Sequence, residues 1–242
     1  MRLLIIRHGD PDYSIDSLTE KGWREAEYLS DRISKLNVKQ FYVSPLGRAK
    51  DTAAVTLKKM NRTAIELPWL REFKAPIIYP ATQMEKSSTW DWLPKDWTVR
   101  EEFYDKNLWH TVSCMEEGNV YAQAKWVYDG LDEILKVHGY VRKDNVYEVV
   151  NANSDTIVLF CHFGVECVML SHLLGISPMP LWHGLCAAPT SVSTLLTEER
   201  QEGIASFRMS SFGDVSHLYV AGEEPAFAAR FCEKYENADE RH

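Results

Sequence analysis

Two arginines and two histidines in this chain sit where a strand would end and a turn begin. Arg7-His8-Gly9 follows the apolar run Leu3 to Ile6, Arg48 lies just beyond Ser44-Pro45-Leu46, and Cys161-His162-Phe163-Gly164 follows the run Thr156 to Phe160. Continuously apolar runs of this length read as buried parallel strands. In an open α/β sheet, ligands bind outside the carboxyl ends of the strands, so all three segments are expected to open on one edge. Four side chains able to carry positive charge would repel one another in an empty cleft, and their convergence implies an anionic ligand. Guanidinium forks suit phosphate oxygens, because they present paired donors in a plane and stay charged at accessible pH. Arg48 falls in the first turn of a helix, where a cation opposes the macrodipole by about 0.3–1 kcal/mol; a bound phosphate would reverse that penalty.

The elements that must position these groups alternate along the chain. Thr19 is a plausible N-cap, and Trp23, Ala26, Leu29, Ile33 and Leu36 recur at helical spacing, which predicts a helix over about 20–36. A strand at Phe41 to Val43 leads to Ser44-Pro45, read as a cap with a proline in the first helical position, and to a helix carrying Ala49, Ala53, Leu57 and Met60. A short strand near Ala64 to Leu67 brings the chain to Leu70-Arg-Glu-Phe73. The sheet resumes at Thr156 to Phe160, followed by a helix over Gly164 to Leu174 with Gly175 past its end, and a hairpin of strands at Ser191–Thr197 and Ile204–Met209. This predicts an α/β fold, a three-layer α/β/α sandwich around a mostly parallel sheet.

Between about 74 and 150 the regularity fades. One helix is expected at roughly 119–138, capped by Gly139, and five of the eight tryptophans fall here (90, 92, 97, 109 and 126). The stretch is either an extra packing layer or a helical lid inserted into a single domain spanning 1–242.

The whole chain is 242 residues, 45% hydrophobic, with a formal net charge of -8. That balance disfavours nucleic acid and anionic membrane surfaces as partners, since both require broad basic patches. Five cysteines without zinc-like spacing suit free thiols in a reducing, cytoplasmic setting. The N-terminal apolar run is too short for a signal peptide, and no stretch approaches transmembrane length.

Taken in order, Arg7-His8-Gly9, Leu18-Thr19-Glu20 with Gly22 and Ala26, Ser44-Pro45-Leu46 with Arg48 and Thr52-Ala53, Leu70 with Glu72, and Cys161-His162 with Gly164 resemble the histidine phosphatase superfamily, branch 1, also called phosphoglycerate mutase-like. The resemblance implies a metal- and cofactor-independent enzyme acting on small phosphate esters. His8 would be the nucleophile, Arg7, Arg48, His162 and the backbone at Gly164 would hold the phosphoryl oxygens, and Glu72 would be the proton donor, with Glu85 as a substitute. Phe163 departs from the pattern where glycine is usual. Asp10-Pro11-Asp12 places two carboxylates beside the nucleophile turn, where they would repel a dianion unless they point away or meet a cationic leaving group.

Asp10-x-Asp12 after an apolar strand also resembles, superficially, an aspartyl-phosphate hydrolase of the haloacid dehalogenase type, or with His8 a metal-ligand cluster, although position 14 is Ser. A silent phosphate-binding module is a further alternative. Of the remaining histidines, His172 reads as a buried, satisfied side chain and His183 as a candidate for the pocket rim, while His110, His138, His217 and His242 have no spacing that suggests chemistry. Cys161 is expected to fill the strand core. Mutases of the resembled family carry an E-R-H-Y-G type stretch and paired arginines in the insertion; this chain has Glu72-Phe-Lys-Ala75 and no adjacent arginines over 74–150. Over 75–130, nine acidic residues face five basic ones, which favours an apolar, aromatic or cationic leaving group over glycerate.

Overall fold

The computed structural model describes residues 1–86, 88–226 and 232–237, so His242 lies outside the described residues. Among these, an eight-stranded sheet runs in the spatial order Ile65–Glu66, Val38–Val43, Thr156–Cys161, Arg2–Arg7, Val192–Gln201, Ile204–Asp214, Val146–Val149, Tyr140–Lys143. The first four are mutually parallel, and only Val192–Gln201 and Val146–Val149 run against the rest. Arg2–Arg7 lies at the centre, paired in parallel with Thr156–Cys161, so that Arg7 is opposite Cys161.

Alternation along the central strand divides the core. Leu4 and Ile6 join Phe41, Val158, Phe160, Leu29, Ile33 and Ala53 on one face, under the helices Glu20–Ile33 and Gly47–Met60. Leu3 and Ile5 join Ile157, Leu159, Val127, Leu131 and Val168 on the other, under Val120–Val137 and Phe163–Leu174. Because successive side chains of a strand point to opposite faces, one buried strand supports both helical layers.

The first helix stops at Ile33 rather than 36, and its buried line is Gly22, Ala26, Leu29 and Ile33; Trp23 is 41% exposed instead of facing the core. Thr19 is the N-cap and accepts from Gly22 N at 3.0 Å. The second helix begins at Gly47 with Leu46 as N-cap, not at Ser44-Pro45. The hydroxyl of Ser44 bonds His162 Nε2 at 2.7 Å and accepts from Leu46 N at 3.3 Å, just ahead of the helix.

Within the irregular stretch, Val120–Val137 packs in the larger core and the hairpin Tyr140–Lys143/Val146–Val149 extends the sheet. Trp92 and Trp109 are buried packing residues, whereas Trp126 is partly exposed with Arg71 5.0 Å from its ring centroid. No helix among the described residues is long and apolar enough to cross a membrane.

Candidate active site

The parallel register delivers the expected convergence. His8 N donates to Cys161 O at 3.0 Å, and the His8 and His162 ring centroids stand 5.0 Å apart. Both imidazoles are buried, at 2% and 0% exposure, and burial together with nearby Arg7 and Arg48 lowers both pKa values well below the usual histidine range. Each is therefore neutral at pH 7. His8 Nδ1 lies 2.7 Å from Gly9 O, an acceptor only, so the ring proton sits on Nδ1 and the lone pair on Nε2. Arg48 Nε points at that lone pair from 3.4 Å.

Arg7 and Arg48 are anchored differently. Arg7 Nη1 donates to Ala187 O, while its buried Nε has no partner among the described residues. Arg48 Nη1 is bound to Asp16 Oδ1, and the same carboxylate accepts from Gly47 N at 2.7 Å. Asp16 thus supplies, at the first turn of the helix, negative charge that opposes the dipole penalty on Arg48. His162 Nδ1 is likewise buried and without a partner among the described residues, an atom that an anionic oxygen would satisfy.

The loop after His8 is held by close backbone approach. A Cβ on Gly22 would lie 2.2 Å from Asp10 O, and one on Gly9 2.9 Å from Gly22 O, so the start of the first helix and the nucleophile turn touch backbone to backbone. Gly9 N donates to Thr52 Oγ1 at 2.9 Å. The two carboxylates of that loop turn elsewhere: Asp10 Oδ2 accepts from Thr19 Oγ1 at 2.6 Å, and Asp12 Oδ1 accepts from Ser14 within its own turn. Neither is engaged as the aspartyl nucleophile or metal-ligand pair would be. Among the described residues no three His, Cys, Asp or Glu side chains gather as a metal site.

Glu72 reaches the site from the segment after Leu70. Its Oε1 accepts from Phe73 N at 2.7 Å and Val165 N at 3.0 Å, and the Gly164 amide also bonds this carboxyl. Burial outweighs these bonds and raises its pKa. The amide of Gly164, expected at the phosphate, is spent on Glu72. A Cβ at 164 would lie 2.6 Å from Glu72 Oε1 and 2.8 Å from Trp90 Nε1, so the glycine is needed for this close approach instead. Trp90 covers the spot, with its Nε1 bonded to Phe73 O at 3.2 Å and its ring edge-on to Phe163 at 6.0 Å. Phe163 accordingly packs into the core. Glu85 is exposed on the ribbon Ile77–Tyr79/Met84–Lys86.

The other histidines have structural partners. His172 Nε2 meets Asp132 at 2.9 Å and stacks on Tyr128, though it is only partly buried. His183 stacks on Trp97 at 4.9 Å and accepts from Trp92 N at 3.1 Å, pinning the tryptophan-rich segment. His110 stacks on Tyr121 and His138 bonds Tyr42. Cys161 is fully buried in its strand.

Several supporting residues were not singled out by motif or spacing. Thr190 sits at φ 58°, costly for a β-branched residue, and its amide donates to His8 O at 3.1 Å. His217, buried with a pKa lowered to about 4, holds Thr190 Oγ1 at 3.1 Å, so it acts on the nucleophile turn at one remove. Asp16 is a second strained residue, at φ 49°. Glu25 and Glu166 are buried carboxyls raised to about 7, the first bonded to the Asp10 amide and the second facing Arg7. An acidic residue inside an otherwise apolar helical stretch, as at Glu166, was the available signal.

Comparison with known proteins bears on the family and the fold. Residues 3–117 match the family model described as histidine phosphatase superfamily (branch 1). A 2,3-bisphosphoglycerate-dependent phosphoglycerate mutase from Thermoplasma acidophilum is 33% identical over 72 residues, covering 26% of this chain and 36% of that protein, so the chain spans about a third of the length of the curated relative it matches. Among solved structures, a phosphoserine phosphatase from Entamoeba histolytica, in complex with 3-phosphoglyceric acid, superposes with a TM-score of 0.59 at 19% identity, over 90% of this chain and 98% of that one. A mycobacterial glucosyl-3-phosphoglycerate phosphatase gives 0.57 at 16% identity, over 88% and 98%. At such identities the structural likeness bears on the fold, an α/β architecture shared over most of the length. Residues 3–117 are thus similar in sequence to the histidine phosphatase superfamily (branch 1), and the fold of the chain is similar to that of the phosphoserine phosphatase structure.

Proposed function

We propose that the protein is a phosphatase that hydrolyses phosphate monoesters through a phosphohistidine on His8. The observation that carries this reading is the state of His8: buried, neutral, its Nδ1 tied to Gly9 O, its Nε2 lone pair facing Arg48 Nε at 3.4 Å, and its ring 5.0 Å from that of His162. In this reading Nε2 attacks phosphorus in line as the ester oxygen leaves. Arg7, Arg48 and His162 stabilise the charge spread over the phosphoryl oxygens. Burial biases Glu72 toward its acid form, and Oε1 is occupied by backbone amides, which leaves Oε2 to deliver the proton to the leaving oxygen. The resulting carboxylate then takes a proton from water as that water attacks the phosphohistidine and restores free His8. The cationic side chains supply the charge neutralisation, so no step requires a metal.

Hydrolysis of bulky esters with an apolar, aromatic or cationic leaving group is favoured over mutase action. Exposed Tyr13 stands with its ring 5.3 Å from the Arg48 guanidinium, an aromatic face beside that arginine. The short similarity to a mutase keeps phosphoglycerate transfer as the second reading. The test is a phosphate-release screen on wild type beside His8→Ala, with a brief substrate pulse followed by peptide mass analysis, and a coupled mutase assay primed with the bisphosphate. The expected result is an acid-labile, base-stable phosphoryl group on His8 and release far faster than transfer. Phosphate found on an aspartate would overturn the chemistry, and transfer matching release would overturn the phosphatase assignment alone.

A further inference from the structure

In the reaction proposed above, proton delivery depends on what surrounds the Glu72 carboxyl, and one wall of that surround is held from a distance. The helix Pro178–Gly184 is fixed beside the site: buried Trp182 donates from Nε1 to Gly164 O at 3.0 Å and stacks on Phe73 at 5.4 Å. Gly164 and Phe73 are residues whose amides bond Glu72. The next residue of that helix, His183, faces the tryptophan-rich stretch. Its Nδ1 lies 2.8 Å from Met179 O, an acceptor only, so Nδ1 carries the ring proton and Nε2 keeps a lone pair. That nitrogen accepts from Trp92 N at 3.1 Å, and the ring stacks on Trp97 at 4.9 Å. Burial lowers the His183 pKa, which keeps the lone pair available at pH 7.

Other bonds of this stretch stay inside the insertion: Thr89 Oγ1 donates to Ala75 O, Trp92 Nε1 to Thr89 O at 2.8 Å, and Leu93 N to Tyr79 Oη at 3.1 Å. His183 ties it to the helix that grips Gly164. Trp90 is the residue this tie places. Its Nε1 donates to Phe73 O at 3.2 Å, and a Cβ on Gly164 would meet Glu72 Oε1 at 2.6 Å and Trp90 Nε1 at 2.8 Å. Indole and carboxyl therefore crowd one spot, and the indole fills space that water would otherwise take. We propose that His183 is a positioning residue for the proton transfer: by holding Trp92 and Trp97 it keeps Trp90 against the Glu72 carboxyl. The proposal deepens the phosphatase reading and rests on Glu72 as its acid. Without the Nε2 acceptor, the amide of buried Trp92 loses its partner and the stretch shifts. Trp90 moves with it, water reaches Glu72, and hydration favours the carboxylate, which has no proton to donate. Arg7, Arg48 and His162 are held by other bonds, so binding of the phosphoryl group is retained.

Two variants separate the parts of the tie. His183→Phe keeps a ring against Trp97 and loses the acceptor, whereas His183→Gln keeps an acceptor within reach of Trp92 N and loses the ring. Amide hydrogen exchange at Trp92 should quicken roughly tenfold or more in His183→Phe and stay near wild type in His183→Gln. In His183→Phe, kcat on alkyl phosphates should fall roughly tenfold or more with KM within about twofold, while kcat on nitrophenyl phosphate changes little; His183→Gln should restore most of the loss. Added to Glu72→Gln, His183→Phe should cost nothing further on alkyl phosphates, because both act on one step. Equal losses on the two esters, a further loss on top of Glu72→Gln, or unchanged exchange at Trp92 overturns the proposal and leaves the phosphatase reading intact. Should the His183 variants fold poorly, Trp90→Phe removes the indole nitrogen directly, and undiminished kcat on alkyl phosphates overturns the proposal in the same way. Absence of phosphate release from both esters in wild type overturns the two together.

Discussion

Glu25 offers a direct measure of what it costs to tie the nucleophile loop to the C-terminal segment. Its side chain is fully buried, with Oε2 accepting from Asp10 N at 3.0 Å and Oε1 from Ala226 N at 3.1 Å. Desolvation outweighs these two bonds and raises its pKa from 4.5 to about 7. Between those values the native protein holds a proton that the unfolded chain has released. The stability this group contributes is therefore fully present below about pH 4.5 and lost as pH rises through about 7. A shift of roughly 2.5 units corresponds to about 3 kcal/mol, of which roughly 2–3 kcal/mol is lost between pH 5 and 8. For a chain of this size that is about 5–10 °C in melting temperature. His8, His162 and His217, whose pKa values are lowered, act in the opposite sense and favour the fold as pH rises, so the wild-type profile alone is not diagnostic. The difference between wild type and Glu25→Gln isolates the one group, because contributions common to both proteins cancel. Urea unfolding of both proteins at intervals from pH 5 to 8 should show wild type losing ground to Glu25→Gln by roughly 2–3 kcal/mol. A difference that stays flat across that range would refute the claim that burial dominates the state of this carboxyl.

Glu72→Gln should lower kcat by about 100-fold or more for alkyl phosphates and by less than about 10-fold for nitrophenyl phosphate, which needs little protonation of its leaving group; equal losses would mark a purely structural carboxylate. Gly164→Ala should cost about 100-fold in kcat on alkyl esters, because the new methyl displaces Glu72 and Trp90, with far-ultraviolet circular dichroism unchanged. Asp16→Asn keeps an acceptor for Gly47 N but releases the charge on Arg48; a rise of about three- to tenfold in KM with kcat little changed is expected, and steady-state kinetics at low salt will show it.

Much of this site could be read along the chain because its members end strands. An apolar run followed by Arg7-His8-Gly9, or by His162, places the polar residues at a sheet edge whatever the rest of the molecule does, and parallel pairing then brings Arg7 opposite Cys161. Thr19 as a helix cap and the core-facing Ala26, Leu29 and Ile33 of the first helix follow from local rules of the same kind, although Trp23 of the same series turns outward. What lies beside those residues was not decided locally. Asp16 on Arg48, Ser44 on His162 and His217 beneath Thr190 are pairings across 32, 118 and 27 positions, and no periodicity marks them. The fate of the Gly164 amide was settled by the route of the 70–73 segment, which brings Glu72 close enough to take it. Sequence by itself determined which chemical groups gather, since strand ends and helix starts are properties of short segments. Tertiary structure alone decided how each is charged and held, because a pKa depends on burial and on neighbours that only the folded chain brings together.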